Sequence, residues 1–378
     1  MTAQIQPGFV FRCRASSLRA KIADESNVLR GLSAPGQAYS SFANALRVEM
    51  EKLANEITVL LEALGVNGTS LPHLSMERIQ LRAMNLFGEA LALRLADSIR
   101  GHLDLGMCRI ADSILAELAE AVTVQVPHLS TVAEAEYYGA SSRVIRLRYP
   151  TKSIWDLPVL AHEYGHSFGP AWTVKDAPDL HPHETFVHSG KLGSQTLNDE
   201  YFCDLLATFL LGPAYVSMCI LERFNPSAST DNETHPSDLK RAYWVLCGLD
   251  LLAELVEDDE GSADYRSQSK FLRSIWDGYR SSCSSEDLTE TEKAILEFHA
   301  TGLFAKFQTA LPLAAYTNSS APWELVADYK DGMKTQSGKK FRDILNASWL
   351  VRVRHGTDPR TIASIAEWAL ELARRSLT

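Results

Sequence analysis

The segment AHEYGHSFGPAW, residues 161–172, contains two histidines four positions apart, with a glutamate directly after the first. On an α-helix, residues four apart project from the same face, so the imidazoles of His162 and His166 can reach one ion. Glu163 lies beside the first histidine, close enough to take a proton from a metal-bound water molecule. This H-E-x-x-H spacing predicts a zinc-binding helix. The alternative is an ordinary amphipathic helix over residues 157–168 whose histidines are capped or solvated.

A catalytic zinc ion takes three protein ligands and leaves its fourth position to water or substrate, so a third ligand is expected elsewhere in the chain. The segment LNDEYFCDLLA, residues 197–207, places Glu200 and Asp204 four apart on an otherwise apolar helical pattern. Two carboxylates facing a core are unfavourable unless they are paired or bound to metal. We predict Glu200 as the third ligand of Zn2+ and Asp204 as the carboxylate that accepts the free N–H of a ligating histidine.

Other possible ligands lie nearby. Three histidines, His181, His183 and His188, occur in the polar segment between the two predicted metal helices, where a lid or an alternative ligand could sit. Cys203 adjoins the predicted third ligand, and a small apolar residue on a buried helix is the simpler interpretation for it. Gly165, inside the first motif, permits close approach of a neighbouring segment to the motif helix.

The order of these motifs resembles that of the gluzincin zinc metallopeptidases, the group that includes thermolysin. H-E-x-x-H at 162–166 is followed by E-x-x-x-D at 200–204, and T-H-P at 234–236 with Arg241 is similar to an element of the membrane-bound CAAX-endopeptidase type. The resemblance covers residues 143–241 and neither flank, and unlike that membrane family this chain has no transmembrane helices around the motifs. It implies a zincin-like core without implying a prenylated substrate.

The resemblance also implies roles for individual residues. His162, His166 and Glu200 would hold zinc, and Glu163 would act as the general base in the hydrolysis of a peptide bond. A second electrophile is needed for the tetrahedral oxyanion, and the candidates are His235, Arg241 and Tyr243. We favour His235 with Arg241 close to it. The alternative is that His235 and Pro236 simply start a helix and that Arg241 pairs structurally with a carboxylate.

Apolar periodicity predicts an α+β fold that is predominantly α-helical. Residues 39–64, 76–99 and 107–121 have helical spacing, whereas residues 122–126 and 143–149 alternate in the manner of strands. The fold class expected is a zincin-like metallopeptidase core with a small sheet, flanked by helical regions. We divide the chain into an N-terminal helical region (1–105), a catalytic core (106–260) and a C-terminal helical region (261–378).

Charge and composition exclude several partners. The formal net charge of −10 argues against nucleic acid and against an anionic membrane surface as partners. The longest apolar stretch, residues 205–221, is interrupted by Gly212 and Pro213, which favours a buried helix and its end rather than an anchor. The six scattered cysteines and the absence of a signal-peptide pattern favour a cytoplasmic protein.

Three functions fit these motifs. The first is a zinc metallopeptidase of restricted specificity that acts on a peptide or protein substrate, which the strand at 143–149 would bind by strand addition. The second is a binding or regulatory module built on a zincin core, with a structural or vestigial metal and no turnover. The third is hydrolysis of a non-peptide amide by the same residues. The intact Glu163 favours an enzyme, because a purely structural zinc needs no general base.

Overall fold

The structure is a computed structural model that is mostly helical. It describes residues 9–32, 40–67, 73–99, 107–123, 129–133, 137–139, 144–148, 154–173, 181–257, 259–282, 286–318, 320–330, 339–355 and 359–377. Its contacts define two compact units, one of residues 1–105 and 127–148 and the other of residues 106–126 and 149–378. The three-region division drawn from the sequence stays a prediction.

Helices dominate the described residues of both units. The α-helices are α1 Phe9–Leu32, α2 Ser40–Asn67, α3 His73–Ile99, α4 Met107–Val122, α5 Val159–Ala171, α6 Pro182–Val187, α7 Gln195–Leu211, α8 Pro213–Met218, α9 Asp238–Glu254, α10 Asp259–Ser282, α11 Glu290–Ala310, α12 Ser320–Lys330, α13 Phe341–His355 and α14 Pro359–Arg375. The strands are β1 Leu129–Ala133, β2 Tyr137–Gly139 and β3 Val144–Arg148.

The first unit is built on helix α2, which packs against α1 and α3. The apolar residues that recur along α2 at helical spacing are the ones that form its buried face: Phe42, Leu46, Met50, Leu53 and Ile57. The predicted helices over 39–64, 76–99 and 107–121 are therefore confirmed. The strand predicted over 122–126 is wrong at Val122, which ends α4. Residues 124–126 lie outside the described residues.

Strand β3 corresponds to the strand predicted over 143–149, but its surroundings differ from those expected. It pairs in parallel with β1 and antiparallel with β2, so it occupies the middle of the order β1-β3-β2. Arg146, in the centre of β3, is 4% exposed and forms an ion pair with Glu89 at 3.1 Å. The prediction that this strand binds a peptide by strand addition is wrong, because strand addition needs a free edge and both edges of β3 are occupied.

The second unit is centred on helix α7. From residue 197 to 211 every side chain of α7 is buried except Asp199, which is intermediate. A helix that is buried around its circumference belongs to the interior of a domain, and α5 and α9 pack against it. It begins at Ser194, whose hydroxyl accepts from the Leu197 N–H at 3.3 Å, and it ends at Gly212 with φ 58°.

Two glycine contacts bring α5 close to its neighbours. A Cβ added to Gly165 would lie 3.0 Å from the Cα of Cys203 on α7, so the close approach predicted at this glycine is confirmed. A Cβ added to Gly169 would lie only 2.4 Å from Cδ2 of His183 on α6. Both glycines therefore let the motif helix approach the helices that carry the other candidate ligands.

One segment of the second unit differs from the prediction. The segment read as a polar loop contains the short helix α6, which Pro182 starts at its first position, where the missing N–H is not needed. None of the helices in the described ranges combines the length and apolar character needed to cross a bilayer.

Candidate metal centre

Helices α5 and α7 bring two imidazoles and one carboxylate to a single point. His162 and His166 project from the same face of α5, with ring centroids 5.0 Å apart and ring planes at 84°. The carboxylate of Glu200 on α7 lies between them. Its Oε2 is 3.3 Å from Nε2 of His162, and its Oε1 is 3.4 Å from Nε2 of His166. One ligand atom from each residue lies within 4.8 Å of the other two, so this group can hold a metal ion.

The two imidazoles lie farther from the Glu200 oxygens than in a short charge-assisted hydrogen bond. Four ligands about 2.1 Å from a tetrahedral zinc ion lie about 3.4 Å from one another, whereas a charge-assisted N–H···O bond is about 2.7–2.9 Å long. The two Nε2–Oε distances of 3.3 and 3.4 Å involve different oxygens of Glu200, and both are longer than such a hydrogen bond. Moreover, Oε2 of Glu200 is buried and has no hydrogen-bond partner within the described chain, an unfavourable state that a bound cation would relieve.

Asp204 organises the side of the group behind His162. Its fully buried carboxylate lies 2.9 Å from Nδ1 of His162 and accepts a 2.6 Å hydrogen bond from the Tyr215 hydroxyl. Arg241 on α9 donates two further bonds to it, from Nε and Nη2, each 2.8 Å long. With Nδ1 of His162 held in this way, its Nε2 faces Glu200. The orienting role predicted for Asp204 requires this contact.

Asp199 contacts the second histidine of the group, a role that was not predicted from the sequence. Its Oδ2 lies 2.8 Å from Nδ1 of His166, and its Oδ1 lies 2.6 Å from Nε2 of His183. Cys203 Sγ is 3.3 Å from the same Nδ1 of His166. His166, Asp199 and Cys203 therefore form a second group of residues that could hold a metal ion. The only signal in the sequence was the acidic residue directly before Glu200, on the same helix.

The electrostatics of the group favour a cation. Burial lowers the pKa of His162, but attraction to Asp204 and Glu200 outweighs it and raises the pKa to about 10. Burial acts to raise the pKa of Asp204, yet the charge and hydrogen bonds of Arg241 lower it well below its usual range. The pKa of Glu200 is lowered in the same manner, since His162 and Arg241 outweigh its burial. The carboxylates therefore stay ionised and stabilise positive charge at this point.

The remaining predicted site residues are placed differently. Glu163, next to His162 on α5, is 7% exposed. His235 lies beside the group, with Nε2 3.4 Å from Oε2 of Glu200, its side chain 48% exposed and its Nδ1 2.8 Å from the Thr234 hydroxyl. Arg241 is committed to its carboxylate partner, as described above.

Tyr243 is not brought to the group. Its hydroxyl donates a hydrogen bond to Glu297 on α11, and its ring packs under Arg273, whose guanidinium carbon is 5.7 Å from the ring centroid. His188 also turns away, because its Nδ1 bonds to the Glu184 carbonyl of its own helix at 2.8 Å. The catalytic role predicted for Tyr243 therefore has no geometric support here.

No known protein family, curated protein or solved structure matches this chain. What the described residues define is a mostly helical protein with a buried group of two histidines and one glutamate that can hold a metal ion. Each histidine of this group is backed by its own aspartate.

Proposed function

We propose that this chain is a zinc-dependent metallopeptidase of the gluzincin type, with His162, His166 and Glu200 as the zinc ligands. The observation that carries the proposal is the meeting of two imidazoles and one carboxylate, with one ligand atom of each residue within 4.8 Å of the other two. Two imidazoles and one carboxylate are also the ligand set of hydrolytic zinc sites that keep one position open. A zincin-like core around α5 and α7 is part of this proposal.

The residues around the ligands then have defined tasks. Bound zinc supplies a Lewis acid and lowers the pKa of a coordinated water to about 7. Glu163, which follows His162 directly on α5, would accept a proton from water at the site and pass it to the leaving amine. Asp204 keeps the proton of His162 on Nδ1, so that Nε2 presents its lone pair to the ion.

His235 is the residue best placed to contact a substrate oxygen. It is half exposed and lies beside Glu200, and when the Thr234 hydroxyl donates to its Nδ1, its proton resides on Nε2 and points toward the group. Arg241 instead acts chiefly through Asp204, to which its Nε and Nη2 donate at 2.8 Å, while Nη2 lies 3.6 Å from Oε2 of Glu200. In the proposed mechanism Arg241 therefore has the structural role of pairing with a carboxylate, and Tyr243 has no role.

The substrate proposed is a peptide or protein of restricted sequence. Within the second unit, α11 packs against α7 and α9, the helices that carry Glu200 and Arg241, which supports restricted access to the group. A binding or regulatory module with a structural metal is the second candidate. The ionisable Glu163 at a nearly buried position beside a metal ligand favours the enzyme, since a structural site has no use for a base.

The proposal is tested with Glu163→Gln and the matched control Glu254→Gln, an exposed glutamate at the end of α9. Zinc content would be measured by elemental mass spectrometry, and turnover with a peptide library read by mass spectrometry. We expect about one zinc per chain in all three proteins and a loss of turnover of about 10²–10⁴-fold in Glu163→Gln only. Turnover of Glu163→Gln at the wild-type rate would refute the mechanism.

The second candidate predicts a different pattern. A zinc-loaded wild-type chain that cleaves no member of the library, together with a His162→Ala variant that loses helical content or thermal stability, would favour the binding module. If the wild-type chain contains no zinc after purification without chelators, both the metallopeptidase and the binding module with a structural metal are excluded.

A further inference from the structure

We propose that Asp199 and His183 form a positioning pair that fixes the tautomer and the ring orientation of the metal ligand His166. This inference rests on the proposed zinc site and adds to it two residues, neither of which the predicted ligand set requires. It also explains why the short helix α6 is held against α5 and α7.

The geometry joins the two histidines through one carboxylate. Oδ2 of Asp199 is 2.8 Å from Nδ1 of His166 and Oδ1 is 2.6 Å from Nε2 of His183, so each oxygen serves one ring. These distances are those of charge-assisted hydrogen bonds. They are shorter than the ~3.4 Å that separates two ligands of one zinc ion, so Asp199 orients His166 rather than sharing an ion with it.

The tautomers follow from the burial of His183. Its Nδ1 is buried and has no hydrogen-bond partner among the described residues. An N–H at that position would be a buried donor without an acceptor, which is costly, so the proton of neutral His183 resides on Nε2 and is donated to Asp199. Asp199 then also accepts the Nδ1–H of His166, and Nε2 of His166 keeps its lone pair for the metal.

The packing around His183 fixes its ring. The ring meets Phe202 of α7 edge to face, with centroids 4.6 Å apart, and its other neighbour is Gly169 of α5, where a Cβ would clash at 2.4 Å. The His183 side chain is 8% exposed. Because the His183 ring lies between Phe202 and Gly169, it cannot rotate away from Asp199 unless α6 moves. Its Nε2–H donor is therefore held in place before any metal binds.

The competing interpretation is a second metal site made of His166, Asp199 and Cys203. It would make Cys203 a ligand, and the pair Asp199–His183 would then have no orienting task. A Cys203→Ala variant distinguishes the two interpretations, since positioning predicts unchanged zinc content and affinity for this variant.

The experiment measures the zinc dissociation constant of the full chain by competition with a chromophoric chelator. The variants are Asp199→Asn, His183→Leu, His183→Gln and the double variant Asp199→Asn/His183→Leu, with His188→Gln, at the C-terminal cap of the same helix, as control. We expect about 10–100-fold weaker binding for Asp199→Asn and about 5–10-fold for His183→Leu. His183→Gln, whose amide can donate from the place of Nε2, recovers most of the affinity, and the control stays within about twofold.

A specific prediction separates positioning from general support of the fold. Because His183 acts through Asp199, the double variant binds zinc as Asp199→Asn does, within about twofold, instead of showing the product of the two effects. Cobalt-substituted wild type and His183→Leu also differ in their visible d–d bands, which report ligand geometry.

Each outcome bears on one proposal. If the wild type binds zinc and His183→Leu is unchanged, or if the two effects multiply, the positioning pair is refuted while the zinc site stands. If the wild type binds no zinc, the zinc site itself fails, and the inference with it. If His183→Leu does not fold, long-range ¹H–¹⁵N spectra of wild-type imidazoles decide, since a proton on Nδ1 of His183 overturns the inference and a bare Nδ1 supports it.

Discussion

Replacing Asp204 with asparagine removes one negative charge from a fully buried network and changes the shape of the side chain little. Asp204 accepts two 2.8 Å bonds from Arg241 and one 2.6 Å bond from Tyr215. The side chain of Arg241 is 12% exposed, so little water is available to replace its partner. We expect Asp204→Asn to destabilise the metal-free chain strongly.

The size of the loss in free energy of unfolding depends on the Arg241 guanidinium, which stays charged and largely buried in the variant. Removing one partner of a buried ion pair costs about 3–5 kcal/mol, because the other charge stays buried and uncompensated. The introduced amide keeps one acceptor oxygen and Oε2 of Glu200 stays 3.6 Å from Nη2 of Arg241, so we expect a loss of ~3 kcal/mol, at the lower end of that range. Asp199→Asn provides the matched comparison. Its side chain is 30% exposed and its partners are histidines, so a loss of only ~1 kcal/mol is expected there.

Urea-induced unfolding of the metal-free chains, followed by tryptophan fluorescence in the presence of a chelator, measures this difference. Replacing Arg241 with methionine in the Asp204→Asn background should recover part of the lost stability, because it removes the uncompensated charge. A loss below about 1 kcal/mol for Asp204→Asn, or one no larger than that of Asp199→Asn, would refute the reasoning.

Three further outcomes are expected. Free zinc at about 100 times its dissociation constant should stabilise the wild type by about 2.7 kcal/mol, seen as a higher Tm in calorimetry; an equal shift in Glu200→Gln would contradict the ligand assignment. Gly169→Ala should lower the free energy of unfolding in urea by about 1–3 kcal/mol, because the His183 ring must move. Gly302→Ala, which has open space around it in α11, should raise that free energy by about 0.5–1 kcal/mol. Similar effects at both sites would contradict the steric clash at Gly169. Tyr243→Phe should retain zinc and turnover, and loss of turnover with zinc retained would restore its predicted catalytic role.

Local sequence rules predicted those parts of the structure that depend on neighbours along the chain. Apolar residues within 39–64 that are spaced as in a helix form the buried face of α2. The face shared by His162 and His166 follows from helical spacing alone. Glu200 and Asp204 were recognised because carboxylates on an apolar helix need partners.

The features that were missed depend on contacts between elements distant in sequence. Nothing in the residues around Tyr243 shows that its hydroxyl meets Glu297 on another helix. The central position of β3, which excludes strand addition, depends on pairing with β1 and β2. In the sequence nothing distinguishes Asp199 from other acidic residues, and only the tertiary structure shows its contacts with His166 and His183.

The sequence by itself determined the helices, the side of α5 that carries both histidines, and the choice of Glu200 as their companion. These depend on a period of 3.6 residues and on the free energy of burying charge, which act within one helix. Only the tertiary structure decided which carboxylate serves which ring, because hydrogen bonds between helices require distances set by packing. Asp204 to His162 and Asp199 to His166 are fixed by the approach of α7 to α5, which Gly165 permits through its missing side chain.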